Sequence, residues 1–314
     1  MKPLGLGVLL WSQATSWPEF ERTARRVDRL GYDHLWTWDH LYAIFGDPHQ
    51  PIFEGWALIT ASAQVTARVR LGLMVGANTF RNPALVAKSA VTLDHISGGR
   101  AVLGLGGAWH TLEHLAHGFD FGRSAGERLD WLDEATGVVR ALLDGEVVDH
   151  EGPRYRFEAL LHSPLPVQRH LPILIGGSGE KKTLRTVARY ADIWNAFGDA
   201  ETLGRKVSVL RMHCEREGRD PTQIEFTVGC KPIIRDTEAE ARKVFAAQME
   251  ANRTPLDDVR DDASFWVGTP HRVAEQIEEL RTLGFHTVIA EMAAPYDDET
   301  IERLIGEVRP MVAT

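Results

Sequence analysis

The sequence predicts an α/β fold, a single (β/α)8 TIM barrel with insertions, in one domain that spans residues 1–314. Eight short apolar runs alternate with longer amphipathic segments, which is the order of strands and helices in a parallel barrel. Small residues follow several of these runs, so the strand ends leave room for a ligand. The length of 314 residues also suits one such barrel. An open, doubly wound sheet is the alternative architecture.

The stretch 68–110 carries the clearest strand–helix–strand pattern. A mostly apolar run at 70–75 ends in Gly76-Ala77-Asn78. Pro83 then fits the first turn of a helix, where a missing N–H has no partner to lose. Ser97-Gly98-Gly99 ends that helix, and a second apolar run follows at 101–105. Two apolar runs joined by a helix predict a parallel βαβ unit.

Hydrophobic periodicity and turn residues place the other elements. We predict strands at residues 4–10, 33–38, 70–75, 101–105, 171–175, 192–196, 224–234 and 286–291. We predict helices at residues 17–30, 56–66, 83–96, 127–143, 181–190, 202–217, 237–252, 270–283 and 297–308. The insertions are a hairpin at 147–157 that turns at Glu151-Gly152, and loops at 41–55 and 253–265.

Composition narrows the classes of function. A net charge of −9 argues against a general nucleic-acid or membrane-surface partner. The two cysteines, Cys214 and Cys230, give neither a disulfide framework nor a CxxC pair, which predicts a reducing, cytoplasmic setting. We expect no signal peptide, and no run reaches the roughly 18 apolar residues of a membrane span.

A glycine-rich loop at residues 176–179 precedes a predicted helix. Backbone amides in such a loop approach a phosphate closely, and the helix N-terminus adds partial positive charge. Lys181, Lys182 and Arg185 lie nearby and would add to that charge. The alternative is an ordinary turn with a solvated basic face.

Asp39 and His40 end the second predicted strand. A carboxylate beside an imidazole at a strand end can relay a proton or orient the ring. Alternatively, Asp39 caps the next segment and His40 packs on Trp36 or Trp38.

His110, His114 and His117 have helical spacing, but no carboxylate completes an HExxH motif. We therefore expect solvated or capping histidines and no metal site. Five tryptophans lie at or near strand ends, where they either pack in the core or line a pocket suited to a planar ring system. These are Trp11, Trp36, Trp38, Trp56 and Trp109.

Five motifs together resemble the luciferase-like monooxygenase superfamily and, within it, the oxidoreductases that use the deazaflavin coenzyme F420. They are LWTWDH at 35–40, the stretch 69–110, GERLDWLDEATGVVRALL at 126–143, PILIGGSGEKKTLR at 172–185 and YADIWN at 190–195. The resemblance covers nearly the whole chain and implies a bacterial luciferase-like barrel, with the cofactor across the C-terminal strand ends.

The resemblance also implies roles for individual residues. A non-prolyl cis peptide is expected at the end of strand three, at Met74–Val75 or Val75–Gly76, bulging against the cofactor ring. Asp39 and His40 would contact the deazaflavin headgroup, with His40 as an acid or base. The remaining cofactor contacts would be Gly107, Ala108 and Trp109 along the cofactor, and Gly176, Gly177 and Ser178 at its phosphate.

The resemblance implies hydride transfer between coenzyme F420 and a small organic substrate. An FMN-dependent monooxygenase that uses reduced flavin and O2, and a non-catalytic ligand-binding relative, are the alternatives. A homodimer is expected by analogy. Where some sugar-phosphate dehydrogenases of the group have an acidic residue after strand four, this chain has Trp109, which argues against a sugar-phosphate substrate.

Overall fold

The computed structural model describes residues 3–312. The strands are β1 (Gly5–Leu10), β2 (His34–Thr37), β3 (Arg70–Leu73), β4 (Gly76–Ala77), β5 (Leu103–Gly106), β6 (Val148–Glu151), β7 (Arg156–Leu160), β8 (Ile173–Gly176), β9 (Ile193–Ala196), β10 (Glu225–Ile234), β11 (Phe265–Gly268) and β12 (Phe285–Met292). The longer helices are α1 (Trp17–Leu30), α2 (Gly55–Val65), α3 (Pro83–Ser97), α4 (Thr111–His117), α5 (Ala125–Leu143), α6 (Thr183–Tyr190), α7 (Ala200–Arg216), α8 (Glu238–Ala251) and α10 (Pro270–Thr282). The short ones are α9 (Leu256–Val259), α11 (Asp298–Arg303) and α12 (Arg309–Val312), with a π segment at Leu304–Val308.

Parallel strands form the predicted barrel. They follow the order β3-β2-β1-β12-β10-β9-β8-β5-β4, and β3 and β4 together occupy the third strand position. The barrel closes because Leu71 of β3 pairs with Ala101, just before β5, and because β4 pairs with β5. This closure confirms the barrel prediction and excludes the open sheet.

Side chains that alternate along the strands build two cores. One lies between the barrel and the helices, and the other fills the barrel interior. The interior cluster contains Leu9, Trp11, Trp36, Trp38, Met74, Val102, Leu174, Ile193, Ile289 and Ala293. On β12, Glu291 follows Ile289 by two residues and therefore has the same orientation, one layer nearer the C-terminal end.

Capping residues explain where helices begin and end. Ser16 accepts a hydrogen bond from the backbone N–H of Glu19 at the start of α1, and Gly31 ends that helix with a φ of +87°. Asn82 caps α3 in the same way, with Pro83 in its first turn as predicted. In contrast, α6 begins at Thr183 rather than at residue 181, and no side chain caps it.

Besides the later start of α6, the structure differs from the predicted elements in three further places. Strand three is interrupted between β3 and β4 by a cis peptide at Met74–Val75, which is one of the two expected bonds. The β6–β7 hairpin turns later than predicted, because the Gly152 N–H bonds to the Tyr155 carbonyl. The loop 253–265 contains the short helix α9, and β11 begins at its end. No helix within residues 3–312 is long and apolar enough to cross a membrane.

His34, at the start of β2, makes the stability of this barrel dependent on pH. Its buried ring lies edge-on to Trp36, with ring centroids 5.6 Å apart. Burial, with a further contribution from the charge on Arg70, lowers the pKa of His34 from 6.5 to about 3. Between these two values the unfolded chain binds a proton that the folded chain does not bind. Stability should therefore decrease as the pH is lowered through this interval, by about 1.4 kcal/mol per pH unit.

We expect His34→Gln to lack this contribution. Urea unfolding of both proteins at neutral pH and at about pH 4 would measure it, because the variant should lose less stability on acidification than the parent. Equal losses in the two proteins would contradict the prediction.

Candidate active site

A cavity of about 600 Å³ opens at the C-terminal ends of the barrel strands. Every predicted site residue except Ser178 lines it: Asp39, His40, Met74, Val75, Gly76, Gly107, Ala108, Trp109, Gly176 and Gly177. A wider cavity of about 1150 Å³ lies at the opposite end, beside Arg70 and Glu225 at the strand N-termini. Ligands of such barrels bind at the C-terminal end, so the first cavity is the candidate active site.

Val75 forms a raised point on the floor of this cavity. Its side chain occupies the space above Gly106 and Gly176, where neighbouring strands carry no side chain. A Cβ atom on Gly176 would lie 2.7 Å from Val75 Cγ1, and one on Gly106 would lie 2.5 Å from Val75 Cγ2. These glycines are therefore required for the close approach of Val75.

His40 pairs with a carboxylate that sequence analysis did not assign to the site. Its Nδ1 lies 3.0 Å from Oε1 of Glu113, which is on α4 and almost fully buried. The other oxygen of Glu113 accepts the N–H of Leu41 at 2.8 Å. Burial favours the protonated acid, but the hydrogen bonds from His40 and Leu41 outweigh it and lower the pKa of Glu113. A carboxylate at Nδ1 places the ring proton there and leaves Nε2 for a ligand.

Aromatic rings hold the His40 imidazole from the sides. Trp38 lies 6.1 Å away and Trp109 5.6 Å away, measured between ring centroids, and both are nearly perpendicular to it. His40 therefore packs on Trp38, as the alternative interpretation of the sequence predicted, and also makes the polar contact with Glu113. Trp109 is 60% exposed and forms part of the cavity rim.

Asp39 ties the end of β2 to the third strand. Its Oδ2 accepts hydrogen bonds from the Ala77 N–H at 2.9 Å and from Arg81 Nη1 at 2.7 Å. Burial raises the pKa of Asp39 despite the charge on Arg81. Its Oδ1 is buried and has no hydrogen-bond partner among the described residues, so one polar atom behind the cavity wall is left unsatisfied.

The glycine loop offers fewer free amides than its sequence suggests. The Gly177 N–H donates a hydrogen bond to the Asn195 carbonyl at 3.0 Å. The Gly177 carbonyl in turn accepts a hydrogen bond from Trp194 Nε1 at 2.8 Å. The φ of Gly177 is +114°, a conformation that favours glycine. Donors for a phosphate would therefore come from Ser178 and the residue after it, before α6. The nearby Lys182 forms an ion pair with Asp130 at 2.6 Å, which reduces the positive charge of this region.

The histidines and tryptophans divide between site and core. His114 is fully buried, with Nε2 2.6 Å from Thr79 Oγ1, so the expectation of a solvated or capping residue is wrong there. Among the predicted tryptophans, Trp38 and Trp109 line the cavity. Trp11 and Trp36 belong to the barrel interior.

The other side of the cavity carries charged and polar residues that sequence analysis did not assign. They are Lys231, Asp262, Ser264 and Glu291. They come from the middle of β10, from the end of β12 and from the segment before β11. Lys231 and Glu291 belong to predicted strands whose ends were expected to face a ligand, but no local pattern grouped Asp262 and Ser264 with them.

A family model described as luciferase-like monooxygenase matches residues 6–287. The chain belongs to this family. The uncharacterized protein Rv0953c of Mycobacterium tuberculosis is 32% identical to this luciferase-like chain over 187 residues. The match covers 60% of this chain and 65% of that protein, so the chain spans just under two thirds of the length of the curated relatives it matches.

Solved structures share the luciferase-like fold over their whole length. An F420-dependent secondary alcohol dehydrogenase, in complex with an F420-acetone adduct, has a TM-score of 0.86 at 20% identity and is matched over 100% of both chains. The oxygenating constituent of 3,6-diketocamphane monooxygenase from Pseudomonas putida, in complex with FMN, has a TM-score of 0.74 at 19% identity. That match covers 98% of this chain and 99% of the other.

Glu113 fixes the orientation of His40 in this luciferase-like site, and its charge can be tested separately from its shape. We expect Glu113→Gln to lower kcat by about 10- to 100-fold, because hydrogen bonds to a charged group are lost. Steady-state kinetics would measure the loss. The matched control is Glu134→Gln, which removes the same charge from a His–Glu contact of 2.8 Å with His150, outside the cavity. An equal loss in both variants would contradict a specific role for Glu113.

Proposed function

We propose that this protein is an F420-dependent oxidoreductase that transfers a hydride between coenzyme F420 and a small organic substrate. The observation that carries the proposal is that the His40–Glu113 pair opens into the same cavity as the glycine floor beneath Val75. The glycine surface beside Val75 can hold a flat ring, and His40 presents an oriented imidazole nitrogen to the same cavity. This combination suits a redox reaction in which a proton accompanies the hydride.

The chain's own residues fit the parts of such a cofactor. Gly106, Gly107 and Gly176 leave a surface without side chains beside Val75, on which a planar ring can lie. Ser178 and the amide that follows it precede α6, where a phosphate is favoured. The fold-level likeness to an F420-dependent secondary alcohol dehydrogenase supports this assignment.

The cofactor would supply the hydride chemistry, and the protein would orient the reactants and manage the proton. Nε2 of His40 would take the proton from a substrate hydroxyl or return it to a carbonyl. Glu113 would stabilise the charged imidazole that results, because its carboxylate lies at Nδ1. Trp38 and Trp109 would limit the access of water to the ring.

An FMN-dependent monooxygenase is the second candidate function. The Lys182–Asp130 ion pair favours it, because this pair neutralises a cation that the longer anionic tail of F420 would otherwise use. The FMN-bound neighbour has the same barrel.

A cofactor titration tests the two functions against each other. Purified protein would be titrated with F420, FMN and NADP+, and binding followed by calorimetry and by the absorbance of each cofactor. We expect binding of F420, followed by F420 reduction with a panel of secondary alcohols. Binding of FMN alone would replace the first function by the second. No binding of any cofactor would reject both and favour a ligand-binding relative.

A further inference from the structure

Lys231 and Glu291 both lie toward the C-terminal end of the barrel and line the same cavity. They belong to the adjacent strands β10 and β12, one residue beyond the paired Cys230 and Ala290. The β10–β12 ladder ends at that pair, and beyond it Lys231 pairs with Phe265 of β11 and Glu291 with Leu9 of β1. Both residues line the candidate active-site cavity. The proposed function assigns neither of them a role.

Hydrogen bonds and aromatic contacts hold the Lys231 ammonium group in place. It donates hydrogen bonds to Ser264 Oγ at 2.6 Å and to Asp262 Oδ2 at 3.2 Å. It also lies 5.4 Å from the ring centroid of Phe197 and 4.9 Å from that of Phe265. An ammonium group has three N–H donors, so one remains beyond these two bonds. Asp262 balances its charge, and the pair presents no net charge to a ligand.

Glu291 adds a second polar group to the same part of the cavity. The residue is only 7% exposed, at the base of the cavity. Burial raises the pKa of Glu291, although Lys231 and the indoles of Trp11 and Trp38 favour the carboxylate. A protonated carboxyl group donates one hydrogen bond through its O–H and accepts through the other oxygen. In its protonated form Glu291 can donate to a neutral oxygen atom, as the remaining N–H of Lys231 can.

This pair is separate from the His40 side of the cavity. The order of strands places β1 between β12 and β2, so Glu291 and the end of β2 lie two strand spacings apart, about 10 Å. Apolar side chains separate the two polar regions, with Phe45 stacked on both Trp11 and Trp38. One substrate oxygen cannot serve both regions at once.

We propose that Glu291 and Lys231 form a second polar subsite, which binds a neutral substrate oxygen other than the one at His40. The substrate class is then an alcohol or carbonyl compound with a further hydroxyl or carbonyl group on an apolar body. This proposal deepens the proposed function and rests on it for the reaction at His40. The oxygen-binding subsite itself is independent of the cofactor.

Two probe ligands of the same shape test the subsite. Cyclohexanone carries a carbonyl oxygen, and methylenecyclohexane has a CH2 group in its place. The ratio of their dissociation constants, measured by calorimetry on the full chain without cofactor, reports the hydrogen bond to the oxygen. We expect Glu291→Leu to shift this ratio against cyclohexanone by about tenfold. Glu291→Gln should preserve the ratio, because the amide is also a neutral donor. His40→Phe should leave at least part of the preference intact.

Several results would overturn the subsite. An unchanged ratio in Glu291→Leu would exclude the hydrogen bond. An equal shift in Glu291→Gln and Glu291→Leu would mean that the carboxylate, not the acid, is required. A shift in His40→Phe alone would assign the oxygen to the His40 region. Glu291→Met provides the same readout if the leucine variant does not fold, and Ile289→Val is the packing control one layer below. A failed F420 titration would reject the proposed function and leave this measurement standing.

Discussion

His40→Ala should lower turnover by about 10²- to 10⁴-fold, the usual contribution of a positioned acid or base. Its imidazole lines the cavity and is oriented by the buried Glu113 carboxylate. Its loss removes the proton acceptor and leaves the glycine floor intact. The dissociation constant for F420 should therefore change much less than kcat. Stopped-flow kinetics of F420 reduction, beside a binding titration, would separate the two effects.

The control for this experiment is His150→Ala. His150 also contacts a glutamate, Glu134, but it is on β6 and does not line the cavity. Its removal should leave kcat nearly unchanged. If His40→Ala kept full turnover while still binding cofactor, the role of His40 in proton transfer would be wrong, and a purely structural contact with Glu113 would remain.

Gly104→Ala should be the most destabilising single-methyl substitution in the barrel wall. A Cβ atom at this position of β5 would overlap the carbonyl oxygen of Leu73, at the end of β3. The obstacle is backbone, so no side-chain rotation relieves it. We expect a loss of about 3 kcal/mol or more in the free energy of unfolding, the upper range for overpacking. Urea denaturation would measure it.

Gly306→Ala is the matched control. A Cβ atom on Gly306 would meet nothing within 4 Å. The added methyl group should therefore change stability by less than about 1 kcal/mol, and a small gain is expected because alanine restricts the unfolded chain. If both variants lost the same stability, steric overlap at β5 would not be the cause.

Local patterns in the sequence predicted the barrel and half of the site. Alternating strands and helices and the glycines after β3 and β5 depend on neighbouring residues, so a single sequence displays them. Asp39 and His40 stood out because they end an apolar strand. These positions follow from a general property of barrels, whose strand ends converge.

The part of the site that the sequence did not predict depends on contacts between distant segments. Glu113 lies 73 residues after His40 and meets it only once α4 is placed over the end of β2. The state of the Gly177 amide likewise depends on the register between β8 and β9, because Asn195 takes the hydrogen bond. The glycine-rich sequence suggested that the Gly177 amide could donate to a phosphate. Only the strand pairing shows that this amide already donates to Asn195.

The division of the third strand into β3 and β4 affects where the barrel wall can open locally. β1 and β12 are joined along six residue pairs, whereas the closure between the third strand and β5 consists of the Leu71–Ala101 bridge and the two pairs of β4. Sparse backbone pairing favours local opening in thermal fluctuations. The cavity floor borders this seam at Val75, so the wall that must adapt to an incoming ring is joined by three residue pairs, half as many as link β1 and β12.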